Sequence, residues 1–277
     1  MLLEAGAPRV LGAASEPWLR FGEETKKEGT WAGRRVLMVN ERPAFELSFW
    51  CGTCQFVFRR LEGANEGGSI QELQDRLGDG LRGLDDDVIE PFGAALARGE
   101  YLPLLLAIHP RLVSPVLEGD YFAHEQVQTW GVDGFWGLPE YPRTPYYRTF
   151  ETAVDAAAHL YEFVVPMVPP SWNERARVRE LETALTSSNR PTAVAVSILD
   201  VCQPANAIGG DYYAHWALTH FLLDGHHKLE AAANSGRQLQ LLSLLSTADG
   251  LSSTDQVARI PQLRARRPQV RHAETSA

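Results

Sequence analysis

The chain has 277 residues, 44% of them hydrophobic, with 35 acidic against 26 basic side chains and a formal net charge of −9. That is enough apolar material for one large or two modest domains with a substantial core, and no apolar run reaches the ~18 residues that a membrane span requires. The acidic balance argues against a nucleic-acid partner, because counterion release needs clustered Lys and Arg.

In chain order, residues 1–34 are rich in Gly, Ala, Glu and Lys with weak periodicity and read as a flexible arm. Arg35–Asn40 and Phe45–Trp50 read as short strands, the second running into Cys51-Gly-Thr-Cys54 and then Gln55–Leu61. Ser69-Ile-Gln-Glu72 has the form of a capping box, with Ile70, Leu73, Leu77 and Leu81 at helical spacing. Asp85–Arg98 reads as a second helix, with acids in its first turn, Pro91 early and Gly99 as its stop. Tyr101–Ile108 is a continuous apolar run, the pattern of a buried strand. From Glu118 to Phe150 the composition shifts to Gly, Pro and aromatics such as Trp130, Trp136, Tyr141 and Tyr147, a packed connection rather than a lid. Thr152–Leu160 reads as a helix. The N-terminal α/β region thus spans 35–117, the aromatic connection 118–160, a second α/β domain 161–250, and a flexible tail 251–277.

The second domain carries the chemistry. Tyr161–Pro169 reads as its first strand, and Ser171-Trp-Asn-Glu174 as a capping box opening a helix with Val178, Leu181 and Leu185 on one face. Thr192–Val201 is a β-branched strand after Arg190-Pro191. His215 begins an apolar strand that turns on Asp224-Gly225 into a helix of Lys, Leu, Glu and Ala, followed by a strand at Leu239–Ser246. A strand that stops at a glycine and opens into a helix gathers unpaired N–H groups at one spot, and the dipole behind them favours an anion. His226, His227 and Lys228 at that spot oppose the dipole and require a compensating anion. His215 and His220 fall on opposite faces of their strand and cannot share a site, and His220, amid Trp216 and Leu222, reads as a core histidine.

This stretch resembles the signature of the ParB/sulfiredoxin superfamily, in which a strand ends in a Gly-His-Arg-like turn followed by an Ala-rich helix. Asp-Gly-His-His and then a basic residue is similar to the free serine kinases of that group, which have Arg where this chain has Lys228. The element order, over about a third of the chain, is the superfamily's. The resemblance implies an α/β fold in which a ParB/sulfiredoxin-like domain packs on the N-terminal α/β region. It also implies ATP or ADP with Mg held at Gly225, His226, His227 and Lys228, and phosphoryl transfer to a small hydroxylated metabolite or nucleotide hydrolysis. Asp224, His226 and Glu174 are the candidate catalytic groups, although Glu174 also reads as a helix cap. A lysine lacks the bidentate fork of the usual arginine. The rival is a binding or scaffold protein without turnover. A DNA-binding role, as in the partition proteins, conflicts with the acidic charge.

Three cysteines do not make a disulfide framework and point to a reducing, cytoplasmic setting. The first residues lack the order of a signal peptide. Cys51 and Cys54 have zinc-knuckle spacing, and a zinc site would need Cys202 and a histidine such as His109, His124, His215 or His220. Trp50-Cys-Gly-Thr-Cys54 also looks like a thioredoxin active site, with Thr53 in place of the usual Pro. An inert structural pair is the third reading.

Overall fold

The structure, a computed structural model, describes residues 1–12, 15–24, 34–48, 56–66, 74–130, 145–185, 190–203 and 213–270. Thirteen strands are present among these: β1 (Leu2–Ala5), β2 (Arg9–Leu11), β3 (Leu19–Glu24), β4 (Arg34–Val39), β5 (Arg42–Leu47), β6 (Phe58–Arg60), β7 (Gly99–Ile108), β8 (Arg111–Val113), β9 (Tyr146–Asp155), β10 (Ala158–Pro166), β11 (Thr192–Cys202), β12 (Ala214–Asp224) and β13 (Leu239–Ser246). The α-helices are α1 (Gln74–Asp79), α2 (Asp86–Ala94), α3 (Glu125–Trp130), α4 (Arg175–Ala184), α5 (His226–Ser235), α6 (Thr254–Ala258) and α7 (Ile260–Arg264). The class is α/β, and no helix of the described residues is long and apolar enough to cross a membrane.

Nine strands form one mixed sheet in the order β1-β7-β13-β11-β12-β10-β9-β8, with β2 also on β7. The pairs β10–β12 and β11–β13 are parallel and the others antiparallel. Strand alternation sorts the core into two layers. Val194, Val196, Phe221, Leu242 and Leu244 face the four-stranded sheet β3-β4-β5-β6 with α1 and α2. Ala193, Ala195, Leu218, Leu222, Leu241 and Leu245 face α4 to α7. A strand buried on both sides must be apolar at nearly every position, which accounts for the unbroken run Tyr101–Ile108 of β7 and the leucines of β13.

Four expectations are corrected. The arm 1–34 contains β1, β2 and β3, each so short that its alternation is lost in the Gly-rich composition; β1 and β2 are held by the distant β7, and β3 by the next strand, β4. Thr152–Leu160 is not helical but the β9–β10 hairpin. Cross-strand pairing overrides alanine propensity there, and Asp155 turns the chain by accepting the Ala157 N–H at 2.9 Å. Helix α2 starts where expected, with Asp85 capping the Asp87 N–H, but stops at Ala94 because residues 95–97 are drawn onto Leu19 by two backbone hydrogen bonds. The tail is ordered through α6 and α7, opened by a capping box of Ser253 and Gln256, and its Arg264 is completely buried. The large sheet takes strands from all four stretches between residues 1 and 250, so the composition-based divisions are crossed by one hydrogen-bonded unit. Ser69–Glu72 lies outside the described residues.

Buried charge ties the layers together. Arg35 on β4 and Asp200 on β11, both almost fully buried, form a bidentate pair at 3.0 and 3.2 Å. The same guanidinium donates to the Ser48 and Asp249 carbonyls, and Asp200 accepts the Leu251 N–H. On the opposite face Glu162 meets Arg264 at 2.8 Å and His220 at 3.3 Å, and takes the Thr149 hydroxyl at 2.5 Å. His220 Nδ1 is hydrogen-bonded to Ser197 at 2.6 Å and its Nε2 lies 3.3 Å from Glu162, so it is buried in the core as expected of it.

Candidate functional site

Because β10 and β12 are parallel neighbours, they end at the same edge of the sheet, and the helices that follow, α4 and α5, begin there side by side. Strand β12 leaves the sheet through Gly225, whose φ of +97° places it in the left-handed region. A Cβ at this position would lie 2.8 Å from the Ala193 Cβ and 3.0 Å from its Cα. Gly225→Ala combines this clash with left-handed strain. It is expected to cost about 1–3 kcal/mol, read as a lowered urea midpoint.

After Gly225 the amide N–H groups of His226, His227 and Lys228 have no acceptor among the described residues, and α5 has no side-chain cap. The α4 start is fastened to this turn. His227 Nε2 accepts the Glu174 N–H at 3.1 Å, so that nitrogen carries no proton. Asn173 donates to Glu230 at 2.7 Å and to the His226 carbonyl at 3.4 Å, and Arg175 grips both Glu230 oxygens at 2.5 and 2.9 Å. Arg177, in the first turn of α4, is near enough to Lys228 to depress its pKa. Two helix N-termini with two cations beside them converge at one spot.

The predicted residues of the turn and of the α4 start each have a definite place. Asp224 and Lys228 are engaged with each other, 3.3 Å apart, and Lys228 also donates to the Thr192 carbonyl at 3.0 Å. Burial pulls the Lys228 ammonium below its ordinary pKa, with Asp224 opposing the shift and Arg177 adding to it. The charge compensation expected from a bound anion is therefore supplied in part by Asp224. His226 is partly exposed as a residue, yet its Nε2 is sealed from solvent with no hydrogen-bond partner among the described residues. Burial, with the adjacent His227, holds its pKa down to about 4. Glu174 is exposed and is the N-cap residue of α4, but its side chain makes no cap bond. The expected capping box is thus not formed, because Ser171 belongs to a 3-10 turn (Pro170–Trp172) and the Glu174 N–H goes to His227 instead.

The cysteine candidates divide. Cys51 and Cys54 lie outside the described residues. Cys202 ends β11 and pairs with His215 at the start of β12, the opposite end of the sheet from Asp224–Lys228. Nine residues of strand separate His215 from Asp224, about 30 Å, so these are two separate places. Burial pushes the Cys202 thiol well up, with Asp200 adding to the effect. His215 is engaged by Tyr121 at 2.6 Å and Thr129 at 2.9 Å. His220 lies on the other face, while His109 and His124 are exposed. Among the described residues no three His, Cys, Asp or Glu side chains gather as a metal-holding group.

Sequence reasoning missed Asn173, Arg175 and Glu230, which tie the two helix starts together, and the exposed Trp172 that leads into them. The signal was Pro169-Pro170 ahead of a tryptophan, a rigid turn holding an aromatic ring. A surface groove of about 640 Å³ lies at the far end of α5, beside Ala233, Asn234 and Arg237. That end carries the negative pole of the helix, although His109, Arg111, Arg148 and Arg237 also line the groove. Comparison with protein-family models, curated proteins and solved structures finds no match to this chain.

Proposed function

We infer that the joined starts of α4 and α5 bind the phosphates of a nucleotide, in a ParB/sulfiredoxin-like arrangement of residues 161–250. The observation that carries this reading is the Glu174 N–H to His227 contact, which brings two helix N-termini together at the carboxyl ends of parallel strands. Ligands of open α/β sheets settle at such ends, and unpaired N–H groups with a dipole behind them recognise phosphate without further charge. The amides of His226 to Lys228 would hold the phosphate oxygens. Lys228 and Arg177 would add field rather than direct contact.

Magnesium takes one or two carboxylates together with substrate phosphates. Among the described residues Asp224 Oδ1 and the Glu174 carboxylate make no hydrogen bond, so they offer oxygens of the kind the ion takes. When bound, magnesium supplies neutralisation of the phosphate charge. Where Asp224 alone holds the ion, Glu174 would be the group left to take a proton from an acceptor hydroxyl, the role that phosphoryl transfer asks of a base. A small hydroxylated metabolite would then be the second substrate, and nucleotide hydrolysis the variant in which water replaces it. A second reading, binding without turnover, is favoured by the engagement of Lys228 with Thr192 and Asp224. Zinc remains a proposal for Cys51, Cys54 and Cys202, of which Cys202 is the described member.

The test is thermal unfolding with Mg²⁺ and ATP, ADP, CTP or inorganic phosphate, for the wild type and Arg177→Glu. A ligand at about 100 times its dissociation constant adds ~2.7 kcal/mol, a rise of roughly 5–10 °C for a chain of this size. A rise with at least one nucleotide, reduced in Arg177→Glu and by salt, is expected. A flat response to all four would refute the site. Release of ADP or phosphate from the bound nucleotide separates turnover from binding.

A further inference from the structure

Resting on the phosphate reading above, we propose that Trp172, backed by Arg60, is the stacking platform for the aromatic base of the bound nucleotide. Trp172 is 61% exposed, and among the described residues it is the only aromatic among the exposed large hydrophobic side chains. Its ring stacks on no other described ring, and it joins neither core cluster. A single exposed apolar residue needs no explanation on its own, but this one is held in place on three counts.

The chain enters it through Pro169-Pro170, and the 3-10 turn Pro170–Trp172 removes backbone freedom. One face of the indole is covered by the Arg60 guanidinium, 5.4 Å from the ring centroid. Arg60 is itself fixed, donating to the Met167 carbonyl at 2.8 Å and to Asn65 at 2.6 Å. With one face covered and most of the residue exposed, the other face is open. The preorganised ring would lose little freedom on stacking, which is how rigid aromatics add affinity.

Position makes the ligand a nucleotide rather than another aromatic. Trp172 precedes Glu174 by two residues, at most ~7 Å of chain, and the Glu174 N–H is bound to His227 in the first turn of α5. Asn173 between them reaches the same turn. A ligand with its phosphates on the amides of His226–Lys228 would therefore meet a flat, electron-rich surface on the segment that leads into the same turn. Stacking accepts any base, because every base offers a π-face, so this platform recognises that a base is present without reading which one.

The experiment is calorimetric titration with Mg²⁺ of ATP, GTP and tripolyphosphate, which has the phosphates and no base. It would be run on the wild type, Trp172→Ala and Trp172→Phe. Both nucleotides are expected to bind about 5- to 100-fold tighter than tripolyphosphate in the wild type. That gap closes in Trp172→Ala, is largely kept in Trp172→Phe, and tripolyphosphate affinity is unchanged throughout. Tripolyphosphate binding as tightly as ATP, or a gap that survives Trp172→Ala, overturns the platform and leaves the phosphate site standing. Failure of all three ligands to bind the wild type overturns both.

Discussion

Arg35→Ala is expected to be among the most damaging single substitutions in this chain, lowering stability by about 3–5 kcal/mol. Arg35 carries its charge from the small sheet into the large one, where Asp200 is fully buried and accepts it through both oxygens. Removing the guanidinium strands a carboxylate in the interior and orphans the Ser48 and Asp249 carbonyls that it also satisfies. The Leu251 N–H alone cannot hold that charge. Urea unfolding measures the loss, and heating should show a fall of roughly 6–20 °C. The double variant Arg35→Met with Asp200→Leu separates a pair that is costly to break from one that is strongly stabilising. Replacing both charges by apolar groups is often neutral, so the double variant should be more stable than Arg35→Ala. A loss below about 1 kcal/mol for Arg35→Ala would mean that the layers are not joined here.

The second large effect is acid sensitivity with two distinct steps. Burial by itself would raise the pKa of Glu162, but the Arg264 charge, His220 and the Thr149 hydroxyl outweigh it and hold the carboxyl at about 2, against 4.5 when free. Burial draws Arg264 below its usual pKa as well, though not far enough to discharge a guanidinium. The folded state therefore binds the Glu162 proton more weakly than the unfolded chain does. The stabilisation, about 3 kcal/mol, is fully present above pH 4.5 and lost as pH falls toward 2. His226 acts in a higher window. Its imidazole is held neutral down to about pH 4 against 6.5 when free, so stability already declines as pH drops from 6.5 to 4. Unfolding free energy against pH should show both declines. Glu162→Gln should flatten the lower one while costing several kcal/mol at pH 7, because the buried Arg264 loses its counter-charge. An unchanged slope between pH 4.5 and 2 in that variant would remove Glu162 as its cause.

The elements that were legible in the sequence are those whose signal is local. Strand β12, the glycine turn and α5 follow from one apolar run, one residue that tolerates positive φ and a stretch of helix formers. Asp85 announced the start of α2 by the side chain that caps it. The Ser253–Gln256 box was readable by the same rule, and the basic residues after it masked a short helix pair with a buried arginine. What was not legible depends on distant partners. The end of α2 is set by Leu19 and strands β1 and β2 by β7, so no short window of sequence contains both halves. The candidate site divides in the same way. Its amides were visible in Asp-Gly-His-His-Lys, but the partners of Lys228, His227 and Glu230 lie 36 to 57 residues upstream.

The outermost long strand, β9, has a consequence for how copies of this chain behave toward one another. β8 covers it only from Tyr146 to Arg148, and an uncovered strand edge is a template for pairing with another molecule. Beyond that point the segment after α7 runs along the edge, with the Gln269 N–H on the Glu151 carbonyl and Arg266 on that of Ala153. The tail thus acts as a guard against self-association. A chain shortened after α7 would keep its core and offer the β9 backbone from Thr149 to Asp155 as a seam for aggregation.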